Sequence, residues 1–448
     1  MRMRCFALAL CLLAGIGLTG CAHQTPAERA ANHYAAQEMA ATPMHANLPD
    51  YALPPAKLAQ ARRLSSLALR LHFGAEAWTI LQIILLLTFG IIARMRDIAV
   101  RISRHRWLQA YIFVLLFLFC RALLNLPLNL YSHHLGLEFG LSIQSWPSWF
   151  ADLGKSLLLE WIVGSLLVLL LFALIRKAPR RWWLVFWIAT IPITLLGLYC
   201  TPIFVDPLFN QFEPLALHHP ELVAQLEHMG VPASHQFLMK ASAKVTTPNA
   251  YVTGLAGSKR IVVWDTSLPP GQSPSPEVLW MVGHECGHYA LGHVLKGTLL
   301  ALAGSLPLLY LACLILTWTL ARFGERWRIP SQADWGALAI ILLAVSLLNA
   351  LGEPIDNTIS RNIEHHADIY GEEAIHGLVP DPQAAVKNAC DSDGLRALDD
   401  PNPSPFVEFW TYNHPSTGRR AAFGKAYNPW AAGYGPKYFK KQTIESRQ

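Results

Sequence analysis

The chain has 448 residues, of which 53% are hydrophobic and 15% charged, and its formal net charge is +6. An ordinary soluble domain has about 25% charged residues, so this composition indicates a protein for which lipid is one of the solvents. The arginines stand beside apolar runs and do not form one basic face with aromatic residues between them, which argues against nucleic-acid binding.

The first 21 residues have the layout of a secretory signal. A basic start and a short apolar run precede Leu18-Thr19-Gly20-Cys21, a sequence similar to the lipobox of a bacterial lipoprotein. Cleavage before Cys21 would leave a lipidated N-terminus outside the inner membrane. An uncleaved signal anchor is the alternative, because an apolar run of this length fits both. Either arrangement places residue 22 outside the cytoplasm.

Six apolar runs are long enough to cross about 30 Å of hydrocarbon. They lie near residues 74–94, 107–128, 157–176, 182–204, 298–321 and 334–352. A mixed segment separates the fourth run from the fifth, and a polar tail follows the sixth. The sequence therefore predicts a signal at 1–21, a membrane domain with four spans at 22–204, and a C-terminal domain at 205–448 that a transmembrane hairpin (298–352) divides.

Basic residues in the short loops indicate how the chain crosses the membrane. They follow the first, third and fifth runs: Arg94, Arg96, Arg101, Arg104 and Arg106; Arg176, Lys177, Arg180 and Arg181; Arg322, Arg326 and Arg328. These loops should be cytoplasmic. The loop between the second and third runs carries Trp146, Trp149 and Phe150, which suit an interface on the opposite side. By alternation, residues 205–297 and the tail face the periplasm.

The segment 278–295 contains a short motif that suits metal binding. We expect it to form one helix, on which His284 and His288 stand at i and i+4 on one face. Two neutral imidazoles that converge from one side suit a tetrahedral zinc, and Glu285 beside them is placed to take a proton from water. The same HExxH letters also fit an amphipathic helix with two satisfied histidines.

The remaining ligand must come from elsewhere in the chain. The sequence has no CxxC pair, so a thiolate cluster has no support. The metzincin spacing fails because Leu291 and Val294 stand where its glycine and histidine belong, and His293 is one residue out of register.

A polar stripe after the sixth run supplies a better candidate. Asn357, Arg361, Glu364 and Asp368 fall on one face of a predicted helix. In a gluzincin arrangement, a glutamate from a second helix completes the zinc site, and a carboxylate one turn further accepts the free N–H of a ligand histidine. We assign these roles to Glu364 and Asp368. A solvated helix face is one alternative; His365 as the ligand is weaker, because it points about 100° away from the stripe.

A β-hairpin is predicted directly before the metal-binding helix. The stretch Pro248 to Gly254 and the stretch Lys259 to Asp265 flank a Gly/Ser turn. An edge strand at this place would pair with an extended peptide, although a purely structural hairpin is an equal alternative. In the tail, His414 and Arg420 are candidate donors to a tetrahedral oxyanion, although a lone histidine in a loop is more often a surface residue.

Five further groups of residues accompany HExxH in a fixed order. They are Gly140-Leu141-Ser142 with Gln144-Ser145, Trp149, Asp152 and Lys155; Asp206-Pro207-Leu208-Phe209-Asn210 with Phe212; Asn249-Ala250-Tyr251; Ser360-Arg361 with Glu364 and Ala367-Asp368; and His414-Pro415 with Arg420. Together these motifs resemble those of the type I CAAX prenyl proteases, which are intramembrane zinc metallopeptidases of the gluzincin class. The resemblance runs from about residue 50 to residue 437.

This resemblance implies a mainly α, polytopic membrane protein with one zinc ion per chain. A transmembrane helical barrel would enclose a water-filled chamber, and a zincin-like domain with a small β-hairpin would lie at one end. The substrate would lie along the strand of Asn249, Ala250 and Tyr251, with Arg361 and Asp368 behind the ligands. Eukaryotic members have seven spans and a cytosolic zinc face, whereas here a lipobox-like signal replaces the first span and the charges place that face in the periplasm.

We therefore predict a zinc-dependent endopeptidase of a bacterial inner membrane that hydrolyses membrane-associated or CAAX-like polypeptides. Glu285 would move the proton, and His414 or Arg420 would steady the oxyanion. The expected partners are a polypeptide, lipidated or bare, and membrane lipid, without nucleic acid. One alternative is a zinc-binding chaperone or scaffold, against which Glu285 argues because a structural site does not need it. The other is a transporter, which lacks support because the spans do not form two matching halves.

Overall fold

The computed structural model describes residues 24–269, 271–431 and 433–440. The predicted signal, including Cys21, lies outside the described residues. Within them the protein is mainly helical, with one small sheet.

The N-terminal helix packs against the C-terminal part of the chain. This helix, α1 (Pro26–Ala41), begins with a capping box in which Thr25 and Glu28 each accept a hydrogen bond from the other's backbone N–H. Ala27, Ala31 and Ala35 are buried in a cluster with Phe423 and Tyr427. Lys437 Nζ also contacts Glu28 at 2.6 Å, so the segment before the first span is held beside the tail.

The first four apolar runs form long helices. These elements are α2 (Pro55–Thr88), α3 (Ile91–Ile102), α4 (Arg106–Glu138), α5 (Trp146–Lys177) and α6 (Trp182–Cys200), with a π-helical turn (Thr201–Val205) joining α6 to α7 (Asp206–Phe209). The prediction of one span over 74–94 is wrong at its end, because Gly90 adopts a φ of 67° and separates α2 from α3. The predicted domain boundary at residue 204 falls within the helical run that continues to Phe209.

The sheet has four strands in the order β1-β2-β4-β3. Its elements are β1 (Phe212–Pro214), α8 (Pro220–His228), β2 (Gln236–Met239), β3 (Ala250–Thr253) and β4 (Arg260–Trp264). Strands β3 and β4 pair antiparallel, with Ala250 opposite Val263, so the predicted hairpin is confirmed. Strand β2 adds a parallel partner to β4. In the part of the chain that the structure describes, no strand pairs with the outer edge of β3.

The segment 278–295 forms parts of two helices, so the prediction of a single helix is wrong. Helix α9 (Pro276–Leu291) ends at Gly292, whose φ is 69°, and α10 (His293–Phe323) begins directly after it. Glycine adopts this left-handed conformation without the steric cost that a Cβ would bring. Helix α10 and α11 (Ala337–Ala374) contain the predicted transmembrane hairpin.

Six helical runs in the described residues are long and apolar enough to cross a membrane. Each of them overlaps one of the six predicted apolar runs, which confirms a polytopic membrane protein. The first ends at Thr88 instead of residue 94, and the last begins at Ala337 instead of residue 334. At most 33% of the residues in their apolar windows are buried against protein. This low burial suits helices arranged in a single layer with lipid on one side. The last run, α11, continues without a break from its apolar part into the predicted polar stripe.

Helices α9 and α11 approach each other so closely that each has a glycine at the point of contact, where a larger residue would not fit. A Cβ built on Gly287 would lie 2.8 Å from the Tyr370 Cβ, and one built on Gly371 would lie 2.6 Å from the backbone nitrogen of His284. Contacts this short do not occur between packed side chains, so larger residues would force the two helices apart. The glycines therefore set the distance between the HExxH motif and the polar stripe.

Three short helices complete the described chain. They are α12 (Pro382–Ala397), α13 (Pro405–Thr411) and α14 (Thr417–Ala426). Helix α14 packs against both α12 and α1. The loop between α13 and α14 carries His414, and α14 carries Arg420, so this packing positions both predicted residues near the ends of α9 and α11.

Candidate active site

Three side chains from two helices converge on one point. His284 Nε2 lies 3.1 Å from His288 Nε2 and 3.1 Å from Glu364 Oε2, and His288 Nε2 lies 3.3 Å from the same oxygen. Ligand atoms held at 2.0–2.1 Å by a tetrahedral zinc stand about 3.3 Å apart. The triangle therefore has the dimensions of a zinc site.

The chemistry of these atoms also suits a cation. His284 Nδ1 is hydrogen-bonded to Asp368, which leaves Nε2 with its lone pair facing the centre of the triangle. The Nε2 of His288 and a carboxylate oxygen of Glu364 face the same centre. Three electron-rich atoms that converge in a buried place repel each other unless a positive ion lies between them, so the residues fit a divalent metal.

A carboxylate and an arginine lie behind His284. Its Nδ1 donates to Asp368 Oδ1 at 2.8 Å, and Arg420 donates to both oxygens of Asp368, from Nε at 3.0 Å and from Nη2 at 2.6 Å. Burial opposes a positive charge on His284, but the hydrogen bonds and charges of Asp368 and Glu364 outweigh it and raise the pKa of His284 to about 10. Metal binding at Nε2 would therefore compete with protonation of that atom.

The placement of Arg420 bears directly on its predicted role. Its guanidinium forms two bonds with Asp368 and lies 5.0 Å from the centre of the Trp280 ring. Burial disfavours its charge, yet Asp368 raises the pKa of Arg420 above its ordinary value. The structure thus places Arg420 behind Asp368, which in turn contacts His284.

The other members of the polar stripe hold a loop. Arg361 Nη1 donates to the backbone carbonyls of Glu408 and Tyr412, at 2.9 and 2.6 Å, and Asn357 donates to the carbonyl of Trp410. Helix α13 and the turn that follows it are thereby fixed to α11. Arg361 supports the segment that leads to His414 through these bonds.

Glu285 and His414 lie beside the three converging ligands. Glu285 Oε1 is 4.0 Å from His284 Nε2, and burial raises the pKa of Glu285. His414 Nε2 is 3.2 Å from Glu364 Oε2, and 48% of its side chain is exposed. His414 and Arg420 also line a cavity of about 570 Å³ that extends to His72 on α2. The site is therefore open to a ligand on the side of His414.

The predicted substrate strand lies against the HExxH helix, because β3 packs on α9. Asn249 is exposed, and its Oδ1 accepts a hydrogen bond from the N–H of Ala250 at 2.8 Å. The side chain of Ala250 is buried in the core. Tyr251 packs against the buried cluster of Met239, Ala241 and Val262, and this burial raises its pKa to about 12. Of the three residues, Asn249 alone presents an exposed side chain, and the other two offer their backbone.

Two features of the site region do not follow from the sequence patterns. His293 Nδ1 lies 3.1 Å from His288 Nδ1, because the chain bends at Gly292. The glycine was the feature of the sequence from which this bend could have been predicted. A second group, His72, Glu76 and Glu353, has ligand atoms close enough to share a cation, and all three side chains are partly exposed. His72 and Glu76 stand at i and i+4 on α2, but their acidic partner, Glu353, comes from α11. No pattern in the sequence predicted that Glu353 would lie beside them.

Comparisons with known proteins agree with this architecture. The family described as "CAAX prenyl protease N-terminal, five membrane helices" matches residues 37–211, and "Peptidase family M48" matches residues 218–426. The protein named "Uncharacterized metalloprotease YhfN" of Bacillus subtilis is 30% identical over 370 residues, covering 82% of this chain and 85% of the relative. CAAX prenyl protease 1 of Saccharomyces cerevisiae is 25% identical over 319 residues, covering 66% and 68%.

A solved structure supports the same fold. The crystal structure of S. mikatae Ste24p matches with a TM-score of 0.70 at 21% identity, and the match covers 90% of this chain and 99% of that one. The family matches confirm the predicted metalloendopeptidase and do not favour the chaperone or transporter alternatives. The family also implies a metal cofactor. The chain belongs to peptidase family M48, with a membrane domain of the CAAX prenyl protease type, and is an integral-membrane metalloendopeptidase.

Proposed function

We propose that this metalloendopeptidase uses one zinc ion per chain, held by His284, His288 and Glu364. The observation that carries the proposal is the triangle of two imidazole nitrogens and one carboxylate oxygen at 3.1 to 3.3 Å. Glu285 stands beside this triangle, and a purely structural metal site has no use for a free carboxylate there.

A zinc ion in this place supplies Lewis-acid chemistry, which activates water and polarises the scissile carbonyl. Glu285 takes the proton of the attacking water and passes it to the leaving amine. Because burial raises the pKa of Glu285, its carboxylate is a stronger base than an exposed glutamate. The proton is thus carried by a side chain that lies next to the proposed metal ligands but does not itself bind the metal.

We assign the oxyanion donor to His414 and a supporting role to Arg420. His414 is partly exposed at the open side of the site, where its imidazole can reach a substrate oxygen. Arg420 is committed to both oxygens of Asp368. We therefore assign its charge to the support of His284 through Asp368.

The proposed substrate is an extended polypeptide at the membrane. Its backbone would pair with the outer edge of β3, near Asn249, and this pairing would run beside the HExxH helix. Relatives carry the name CAAX prenyl protease, and six helical runs of the described chain are long and apolar enough to cross a membrane. We therefore include CAAX-like and lipidated polypeptides in the proposed class.

The proposed location is the inner membrane of a bacterium, with the metal site on the periplasmic face. This orientation rests on the basic residues that follow the first, third and fifth spans. The C-terminal tail, the sheet and the HExxH helix then all lie on the face of the membrane opposite to those basic residues. We therefore expect a reporter enzyme fused after residue 440 to be active if it is of a kind that works in the periplasm, and inactive if it is of a kind that works only in the cytoplasm.

The function can be tested with purified protein in detergent. Zinc is quantified, and one peptide is offered in a farnesylated and a bare form to the wild type and to Glu285→Gln. Cleavage by the wild type alone, with zinc in both proteins, supports the proposal, and the ratio of the two peptide rates measures lipid recognition. A wild type without zinc that still cleaves would contradict the site assignment.

A further inference from the structure

His293 lies behind the ligand His288 and outside the group of three converging ligands. Its Nδ1 is 3.1 Å from His288 Nδ1, and the two rings meet edge to face with centres 5.0 Å apart. The other nitrogen of His288, Nε2, faces His284 and Glu364. Both nitrogens of His288 are therefore engaged, one toward the proposed metal and one toward His293.

This contact exists because the helix ends at Gly292. In a continuous helix, residues five apart lie about 140° apart around the axis and their side chains do not meet. Gly292 has a φ of 69°, so α10 starts in a new direction and the imidazole of His293 returns to His288. A Cβ at Gly292 would meet nothing within 4 Å. The glycine is thus required for backbone conformation and not for space.

The protonation of the pair follows from metal binding. A neutral imidazole has one N–H and one lone pair, so a His288 that binds metal through Nε2 carries its proton on Nδ1. That proton needs an acceptor within the protein, because only 8% of the surface of His293 and 14% of the side-chain surface of His288 are exposed to solvent. The lone pair on His293 Nδ1 is placed to accept it.

We propose that His293 is a positioning residue that fixes the tautomer and the ring orientation of His288 for zinc binding. This inference rests on the proposed zinc site. The two ligand histidines then have different supports: Asp368 with its negative charge holds His284, and a neutral imidazole holds His288. Partners of this kind typically change metal affinity by 10- to 100-fold.

The test compares two variants of nearly equal shape in the full-length protein. His293→Leu removes the acceptor, whereas His293→Asn keeps an oxygen near the position of Nδ1. Zinc affinity is measured by competition with a chelator at one pH, and the thermal midpoint of each zinc-free protein is measured in parallel. We expect affinity to fall 10- to 100-fold in His293→Leu and to stay within about threefold of the wild type in His293→Asn.

A buried histidine directly before α8 provides the control. His219→Leu removes an imidazole that lies 3.6 Å from Glu221, and its zinc affinity should equal that of the wild type. If His293→Leu does not fold, His293→Ala replaces it in the same comparison with Asn. Equal affinities in the Asn variant and the apolar variant, whether both high or both low, would overturn the proposal. Wild-type protein that binds no zinc would instead overturn the proposed site itself.

Discussion

Asp368 accepts a hydrogen bond from Nδ1 of His284 at 2.8 Å, across the interface between α11 and α9. The bond sets the tautomer in which Nε2 of His284 is free for a metal. It also couples His284, a proposed zinc ligand, to Arg420, since Arg420 donates to both oxygens of Asp368. The metal site is therefore supported by a buried ion pair that the sequence motif itself does not contain.

The first prediction concerns this carboxylate. Asp368→Asn keeps the shape of the side chain but removes the charge that holds both His284 and Arg420. We expect zinc affinity, measured with a competing chelator, to fall 10- to 100-fold. An unchanged affinity would show that the bond to His284 does not orient the ligand.

The second prediction separates His414 from Arg420. His414→Leu removes a donor at the open side of the site, so kcat should fall about 100- to 1,000-fold while the zinc content stays at one per chain. Arg420→Met leaves the buried carboxylate of Asp368 without its cation, which should destabilise the protein by about 3–5 kcal/mol. Zinc content, kcat and thermal midpoint are measured on both variants. Loss of zinc in His414→Leu with normal stability would contradict the assigned roles.

The third prediction uses two glycines on the same helix. A Cβ at Gly371 would lie 2.6 Å from the backbone nitrogen of His284, whereas one at Gly352 would meet nothing within 4 Å. Gly371→Ala should therefore destabilise the protein by about 1–3 kcal/mol or more and weaken zinc binding, because α9 and α11 must separate. Gly352→Ala is the matched control and should be neutral or slightly stabilising. Similar thermal midpoints for the two variants would refute the close contact.

The fourth prediction concerns the pH dependence of stability. Burial, together with the charge of Asp399, raises the pKa of Asp393 to about 6, although Arg420 and Arg396 oppose the shift. Because the folded-state pKa lies above the ordinary value, ionisation between pH 4 and pH 6 destabilises the folded protein. Asp393→Asn should match the wild type near pH 4 and be more stable by up to about 3 kcal/mol at pH 8. A stability difference that does not change with pH would contradict this account.

The membrane helices could be predicted because lipid imposes a simple requirement on them. A span needs about 20 apolar residues, and all six runs met that length. Their ends were less predictable, since a single left-handed glycine ends a helix without changing its hydropathy. Gly90 and Gly292 both had this effect. The hairpin β3–β4 followed from its turn, whereas β1 and β2 are three and four residues long and left no comparable pattern.

The candidate site could be predicted where one helix face carried the pattern. The spacing of His284 and His288 and the stripe through Glu364 each depend on helical periodicity, and the structure brings these residues together. Contacts between distant segments depend on tertiary packing and had no such signal. Arg361 was expected behind the ligands, but its bonds reach the carbonyls of Glu408 and Tyr412.

The last prediction addresses the central claim, that Glu285 moves the proton at a site built from His284, His288 and Glu364. Glu285→Gln keeps the size of the side chain and removes the base. We expect the variant to bind one zinc ion with wild-type affinity and to lose at least about 100- to 10,000-fold in kcat.

The most direct measurement is therefore the zinc content and the kcat of wild type and Glu285→Gln, side by side, on one peptide. Equal zinc with cleavage by the wild type alone is the predicted result. Equal zinc with equal cleavage would contradict the account, because the base would then have to be a residue other than Glu285.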